Sequence, residues 1–162
     1  PIMDASLTDL LESLEREHQE LQFSSFSSET ALDIGLLLME RAKKEKRAIA
    51  IDITRFGHQL FHYSFDGTRP DNDEWIKRKV RTVARFGKSS YYMGVFLRHH
   101  GLSLEQRYFV STTEYAVHGG GFPIILRGTG VVGAITVSGM AHEEDHLWVV
   151  EAIRAHLAEK GK

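Results

Sequence analysis

Three groups of residues in this chain combine types and spacings that could do chemistry. His142-Glu-Glu-Asp-His146 sets two imidazoles four residues apart, and on a helix such positions share one face. With Glu143 to activate water, His142 and His146 are candidate ligands for a zinc-dependent hydrolase. The longer metalloprotease pattern continues to a glycine and a third histidine, but Val149 and Ala152 stand there. No spacing singles out a third ligand.

The second group is His118-Gly119-Gly120-Gly121-Phe122-Pro123. Three glycines against a proline let a partner approach the main chain closely. His118 adds an imidazole able to ligate a metal centre or contact a small molecule. This run precedes a strand and does not open a helix, so it is not a dinucleotide fingerprint. The third group joins Ser138-Gly139 to Asp145, where a hydroxyl and main-chain amides could meet a carboxylate or phosphate. Arg78 and Lys79, beside Asn72 and Trp75, could supply cations to the same anion.

The elements that must position these groups follow from periodicity. Ser6 to Leu21 repeats leucine at helical spacing, with Asp4 or Ser6 as its cap. Gln22 to Phe26 is a short aromatic and serine segment that suits an edge strand. Ser27-Ser28 caps a second helix through about Lys46. Ala48–Thr54 and His58–Phe65 alternate across Arg55-Phe56-Gly57 and predict a hairpin, with His58 and His62 on one side. Arg69 to Asp73 caps a helix whose inward stripe runs through Trp75, Ile76, Lys79, Val80 and Val83. Tyr91 to His99 predicts another helix ending at Gly101. Leu102 to Val117 has no readable period. Phe122–Arg127 and Val131–Val137 predict a second hairpin, and Ala141–Glu159 the last helix. Hairpins imply an antiparallel sheet, and the helices between them imply an α+β fold.

The sequence has 162 residues, which fits one domain spanning 1–162 with a single core. No cysteine is present, so disulfides, thiolate metal sites and cysteine nucleophiles are excluded. A net charge of −2 gives no electrostatic reason to expect nucleic acid or an anionic membrane as partner. Without a signal-peptide pattern or a spanning apolar run, the expected location is the cytoplasm.

Gly119-Gly120-Gly121-Phe122-Pro123-Ile124, Val132-Gly133-Ala134-Ile135-Thr136-Val137-Ser138-Gly139 and Asp145-His146 together resemble the family of HbpS-like proteins. That family includes the glycolate-locus protein GlcG and the C-terminal domain of PduO-type adenosyltransferases. Asn72-Asp-Glu-Trp75-Ile76-Lys-Arg78-Lys79 and Ser89-Ser90 resemble its branch labelled haem-degrading-domain proteins. The resemblance implies a profilin-like fold with a five-stranded antiparallel sheet flanked by helices. It also implies a homo-oligomer with ligand sites near subunit contacts, and haem or a related tetrapyrrole as a possible cofactor.

The first functional expectation is therefore a small-ligand-binding protein that takes, and could degrade, haem near the glycine run. Its site would use His118, Gly119, Gly120, Gly121, Ser138, Asp145 and His146, with Arg78 and Lys79 facing the anion. The alternatives are a non-catalytic oligomeric scaffold or chaperone-associated protein-interaction module, and the zinc hydrolase.

Overall fold

The computed structural model describes residues 2–160, with side chains described from residue 6. Two helices open the chain, α1 (Ile2–Glu20) and α2 (Ser28–Glu45). Then come β1 (Ala50–Arg55), β2 (His58–Ser64), α3 (Pro70–Phe86), α4 (Ser90–His100) and α5 (Leu104–Tyr108). β3 (Gly121–Leu126), β4 (Gly130–Ser138) and α6 (His142–Glu159) complete it. Asp4 and Ser6 lie inside α1, which begins earlier than its apolar stripe suggests.

The strands form one antiparallel sheet in the order β2-β1-β4-β3. The sheet has four strands where the family resemblance implied five. The segment expected as a further edge strand contributes a single parallel bridge, Phe23 to Leu126. There Phe23 N–H donates to Ile125 O at 2.8 Å, and Arg127 N–H donates to Phe23 O at 2.8 Å. The aromatic rings of Phe23 and Phe26 turn into the core and meet edge to face.

Alternation gives the sheet two unlike faces. Ile51, Ile53, Phe122, Ile124, Ile135 and Val137 point to one side, where α2 and α6 complete the main core with Ile34, Leu38, Val149 and Ile153. Ala50, Asp52, Ala134, Thr136 and Ser138 point to the other, where α3 lies. The close pairing of β1 and β4 depends on Gly133, because a Cβ there would fall 2.1 Å from Thr54 O.

One expectation changes with the register. A bulge between Ile53 and Thr54 sets His62 opposite Asp52 and His58 opposite Arg55. One extra residue moves everything beyond it to the other face, so the two histidines point apart.

Buried His18 ties α1 to the start of α4. Its Nε2 accepts from Ser89 N–H at 2.9 Å, while its ring stacks on Phe122. Burial, reinforced by Lys88, lowers its pKa from 6.5 to about 4. Because the folded value lies below the unfolded one, this contribution is complete above about pH 6.5 and is lost as pH falls towards 4. We expect His18→Gln to remove up to about 3 kcal/mol of acid-side slope from the urea-derived stability profile. An unchanged slope would show that other groups set it.

Candidate functional site

The glycine run crosses from the α3 face to the α6 side at the end of the sheet where β4 finishes and β3 begins. Gly120 holds a φ of 136°, open to glycine and closed to most side chains. A Cβ there would lie 2.4 Å from Val137 O and 2.5 Å from Lys79 Nζ. The missing side chain leaves the space through which α3 and α6 touch.

What meets there is an ion pair. Lys79, on the inward stripe of α3, is 2% exposed and donates from Nζ to Val137 O at 3.0 Å and to Asp145 Oδ2 at 3.3 Å. Asp145 is equally buried, and its Oδ1 accepts from Met140 N–H at 3.0 Å. Burial pushes the Asp145 carboxyl up to about 6, against the pull of the Lys79 ammonium. Burial also lowers Lys79, with Asp145 resisting. Each group is costly to bury alone and tolerable beside the other.

Above this pair opens a pocket of about 380 Å³. Its walls come from Asn72 and Trp75 on α3, Ser138 at the end of β4, and His118 and His142. Asn72 Nδ2 donates to Ser138 Oγ at 3.4 Å, so the α3 start and the β4 end meet at this pocket. Trp75 meets the His118 ring edge-on at a centroid distance of 4.9 Å, and His142 meets it at 5.4 Å. The Arg78 guanidinium lies over Trp75 at 4.3 Å. Burial lowers the pKa of His118, and His142, Lys79, Arg78 and Arg98 lower it further, in that order. His142 is lowered chiefly by burial. Both imidazoles are therefore held neutral near pH 7, the form that offers a nitrogen lone pair.

The structure sorts the sequence candidates. Lys79, His118, Ser138 and Asp145 converge on the pocket. Arg78 stands beside it, on the Trp75 ring. The glycines act by close packing more than by presenting amides. Gly119 N–H donates to His142 Nδ1 at 3.1 Å, and Gly121 N–H donates to Ser90 Oγ at 3.0 Å.

His146 turns away from the pocket. Its Nε2 lies 2.8 Å from Glu17 Oε1 of α1, and its ring packs on Tyr91. The two histidines of the zinc-protease pattern thus serve different neighbours. His142 spends Nδ1 on the glycine turn and sets Nε2 3.2 Å from Glu143. Among the described residues, no group of three or more histidine, aspartate or glutamate side chains is placed to hold a metal ion.

The sequence reading missed Met140 and Asp71 in the pocket, and Arg98 near it. The only advance signal for Arg98 was its place in the last turn of a helix, where cations suit the dipole in any case.

Fold and pocket together define a class: an α+β domain whose pocket opens where a glycine turn passes between the sheet and its final helix. The family model described as "Haem degrading protein HbpS-like" matches residues 26–154, and the chain belongs to that family. A UPF0303 protein of Streptomyces coelicolor is 44% identical over 146 residues, covering 90% of this chain and 92% of the relative. The crystal structure of the Ybr137w protein superposes with a TM-score of 0.86 at 36% identity, covering 94% of this chain and 90% of that one. A PduOC:heme complex superposes with a TM-score of 0.68 at 17% identity, covering 81% and 94%, a likeness of fold. No helix among the described residues is long and apolar enough to cross a membrane.

If the buried pair holds the site together, Lys79→Met should cost about 3–5 kcal/mol, because Asp145 then lies buried without its counter-ion. The double variant Lys79→Met/Asp145→Leu should recover most of that loss in the same denaturation experiment. Equal losses for single and double variants would show that the pair is not coupled.

Proposed function

We propose that the chain binds a planar, anionic tetrapyrrole of the haem class at the pocket between α3, β4 and α6. The observation that carries this reading is His118. It lines the pocket half-exposed, its pKa lowered by partial burial and by neighbouring charges, and it is oriented by the edges of Trp75 and His142. No hydrogen bond among those of the described residues occupies its ring, in contrast to His142. A neutral imidazole of this kind would be able to hold the iron of a bound haem. Arg78 and Arg98, whose charges reach His118, would face the propionates. Lys79 is already matched by Asp145, so its role is to hold the pocket floor.

An open pocket of about 380 Å³ falls near the low end of the roughly 300–1,000 Å³ range of ligand sites. It would take one edge of a macrocycle and leave the remainder against the surface. When bound, the iron supplies redox chemistry. The chain's own residues bind, orient and partly shield it.

The family description and the heme complex of a structural neighbour support this reading. A haem titration of the purified protein tests it. We expect a sharp Soret band saturating near one haem per chain, weakened at least tenfold by His118→Ala. A broad band that never saturates would overturn the reading. Adding a reductant to the loaded protein then tests degradation, as loss of that band.

Assembly into a homo-oligomer is proposed alongside. Leu32 and Leu36 lie exposed one turn apart on α2, and Gly35 between them packs on Phe61 of edge strand β2, with Tyr63 exposed farther along. An open strand edge bordered by apolar side chains favours pairing with a second copy. Light scattering should give a mass of at least two chains, and Leu36→Lys should lower it.

A further inference from the structure

On the opposite flank of α3 lies a second pocket, of about 460 Å³, that shares no residue with the first. Its floor is the polar face of the β1–β2 hairpin, and its wall is α3. Asp52, only 5% exposed, reaches it from β1. Gln59 Nε2 donates to Asp52 Oδ1 at 2.6 Å, and His62 Nδ1 lies 3.0 Å from the same oxygen. Both bonds fall on Oδ1, so Oδ2 is free of them. On the α3 side, Asp73 Oδ1 is buried and lacks a hydrogen bond, with His62 Nε2 at 3.4 Å. One end of the pocket therefore gathers two carboxylates around one imidazole.

The middle and the far end differ in chemistry. Ile76 and Val80, one turn apart on α3, give an apolar wall. Arg81 lies eight residues beyond Asp73, about 12 Å along the helix axis. Its side chain makes one long hydrogen bond, Nη1 to Glu114 O at 3.5 Å. Lys77 is already paired with Glu74 at 2.8 Å, so Arg81 supplies the cation at this end. Carboxylates, an apolar stretch and a guanidinium thus follow one another along a single groove.

We propose that this groove binds a small zwitterion with an apolar body. Its ammonium would lie against Asp52 and Asp73, its apolar side chain on Ile76 and Val80, and its carboxylate against Arg81. The shared chemistry is that of a free apolar amino acid or a short apolar peptide. A peptide extends roughly 3.3–3.6 Å per residue, so about three residues span the groove. The Arg81 side chain can reach back towards something shorter. This proposal does not rest on the haem reading.

The test is an NMR titration of the full chain with leucine, with Ala-Leu-Ala, and with Ala-Leu-Ala acetylated and amidated at its ends. We expect saturable shifts at Ile76, Val80 and His62 with leucine or with the free peptide. Whichever ligand gives them identifies the source. The blocked peptide should bind at least tenfold more weakly. Arg81→Ala, at an exposed position, should weaken the free ligand about tenfold. Asp52→Asn should narrow the difference between the free and the blocked peptide without removing the part owed to Arg81, and Asp73→Asn serves the same purpose if the buried substitution unfolds the chain. Haem binding should be unchanged in Arg81→Ala. No shifts at millimolar ligand, equal binding of the blocked peptide, or shifts centred on Trp75 and His118 would each overturn the proposal.

Discussion

The Lys79–Asp145 pair is the constraint on which the site depends. The two groups come from helices on opposite faces of the sheet and can meet only around its end. That route is open because Gly120 carries no side chain. Burying a lone ammonium or carboxylate would cost several kcal/mol, so neither α3 nor α6 can shift without exposing or orphaning a charge. Asp145 also accepts from Met140 N–H, so the same carboxylate fixes the turn that leads into α6. The pocket floor is therefore set by electrostatics, while the main core is set by apolar packing.

Both of these pockets lie along α3, on the face of the sheet that carries small and polar side chains. Branched side chains on the α2 and α6 side form the main core. On the α3 side, Ala50, Ala134, Thr136 and Ser138 present a low surface. α3 packs closely on that surface, chiefly along β4, and a recess opens on each of its flanks. Asn72, Trp75 and Lys79 face one flank, and Asp73, Ile76 and Val80 the other. α3 is thus the partition between two differently charged recesses.

The periodic parts of this architecture were legible in the sequence, since both hairpins and the long helices fall where alternation and 3.6-residue spacing place them. Short and long-range features were not. α5 lies in a stretch without hydrophobic period, although Ser103 and Gln106 form a capping box that marks its start. The one-residue bridge at Phe23 depends on where β3 ends, which no local pattern states. Lys79 was a sharper hint than its reading as an anion partner allowed. A lysine on an inward stripe between Ile76 and Val83 must find a carboxylate in the interior. The partner, however, lies 66 residues away, and spacing cannot identify it.

The histidines show how environment separates residues that look alike in the sequence. His18 spends Nε2 on Ser89, His142 spends Nδ1 on the glycine turn, His146 faces Glu17, and His62 lies between Asp52 and Asp73. Each of these rings has at least one nitrogen committed to a neighbour inside the fold, and the Nδ1 atoms left over on His18 and His146 are buried away from the pocket. His118 meets its neighbours through ring edges, at Trp75 and His142. Contacts of that kind fix the plane of the ring and leave its nitrogens uncommitted. A residue held in place without its donor atoms being consumed is already organised for binding, because little freedom remains to be lost when a ligand arrives.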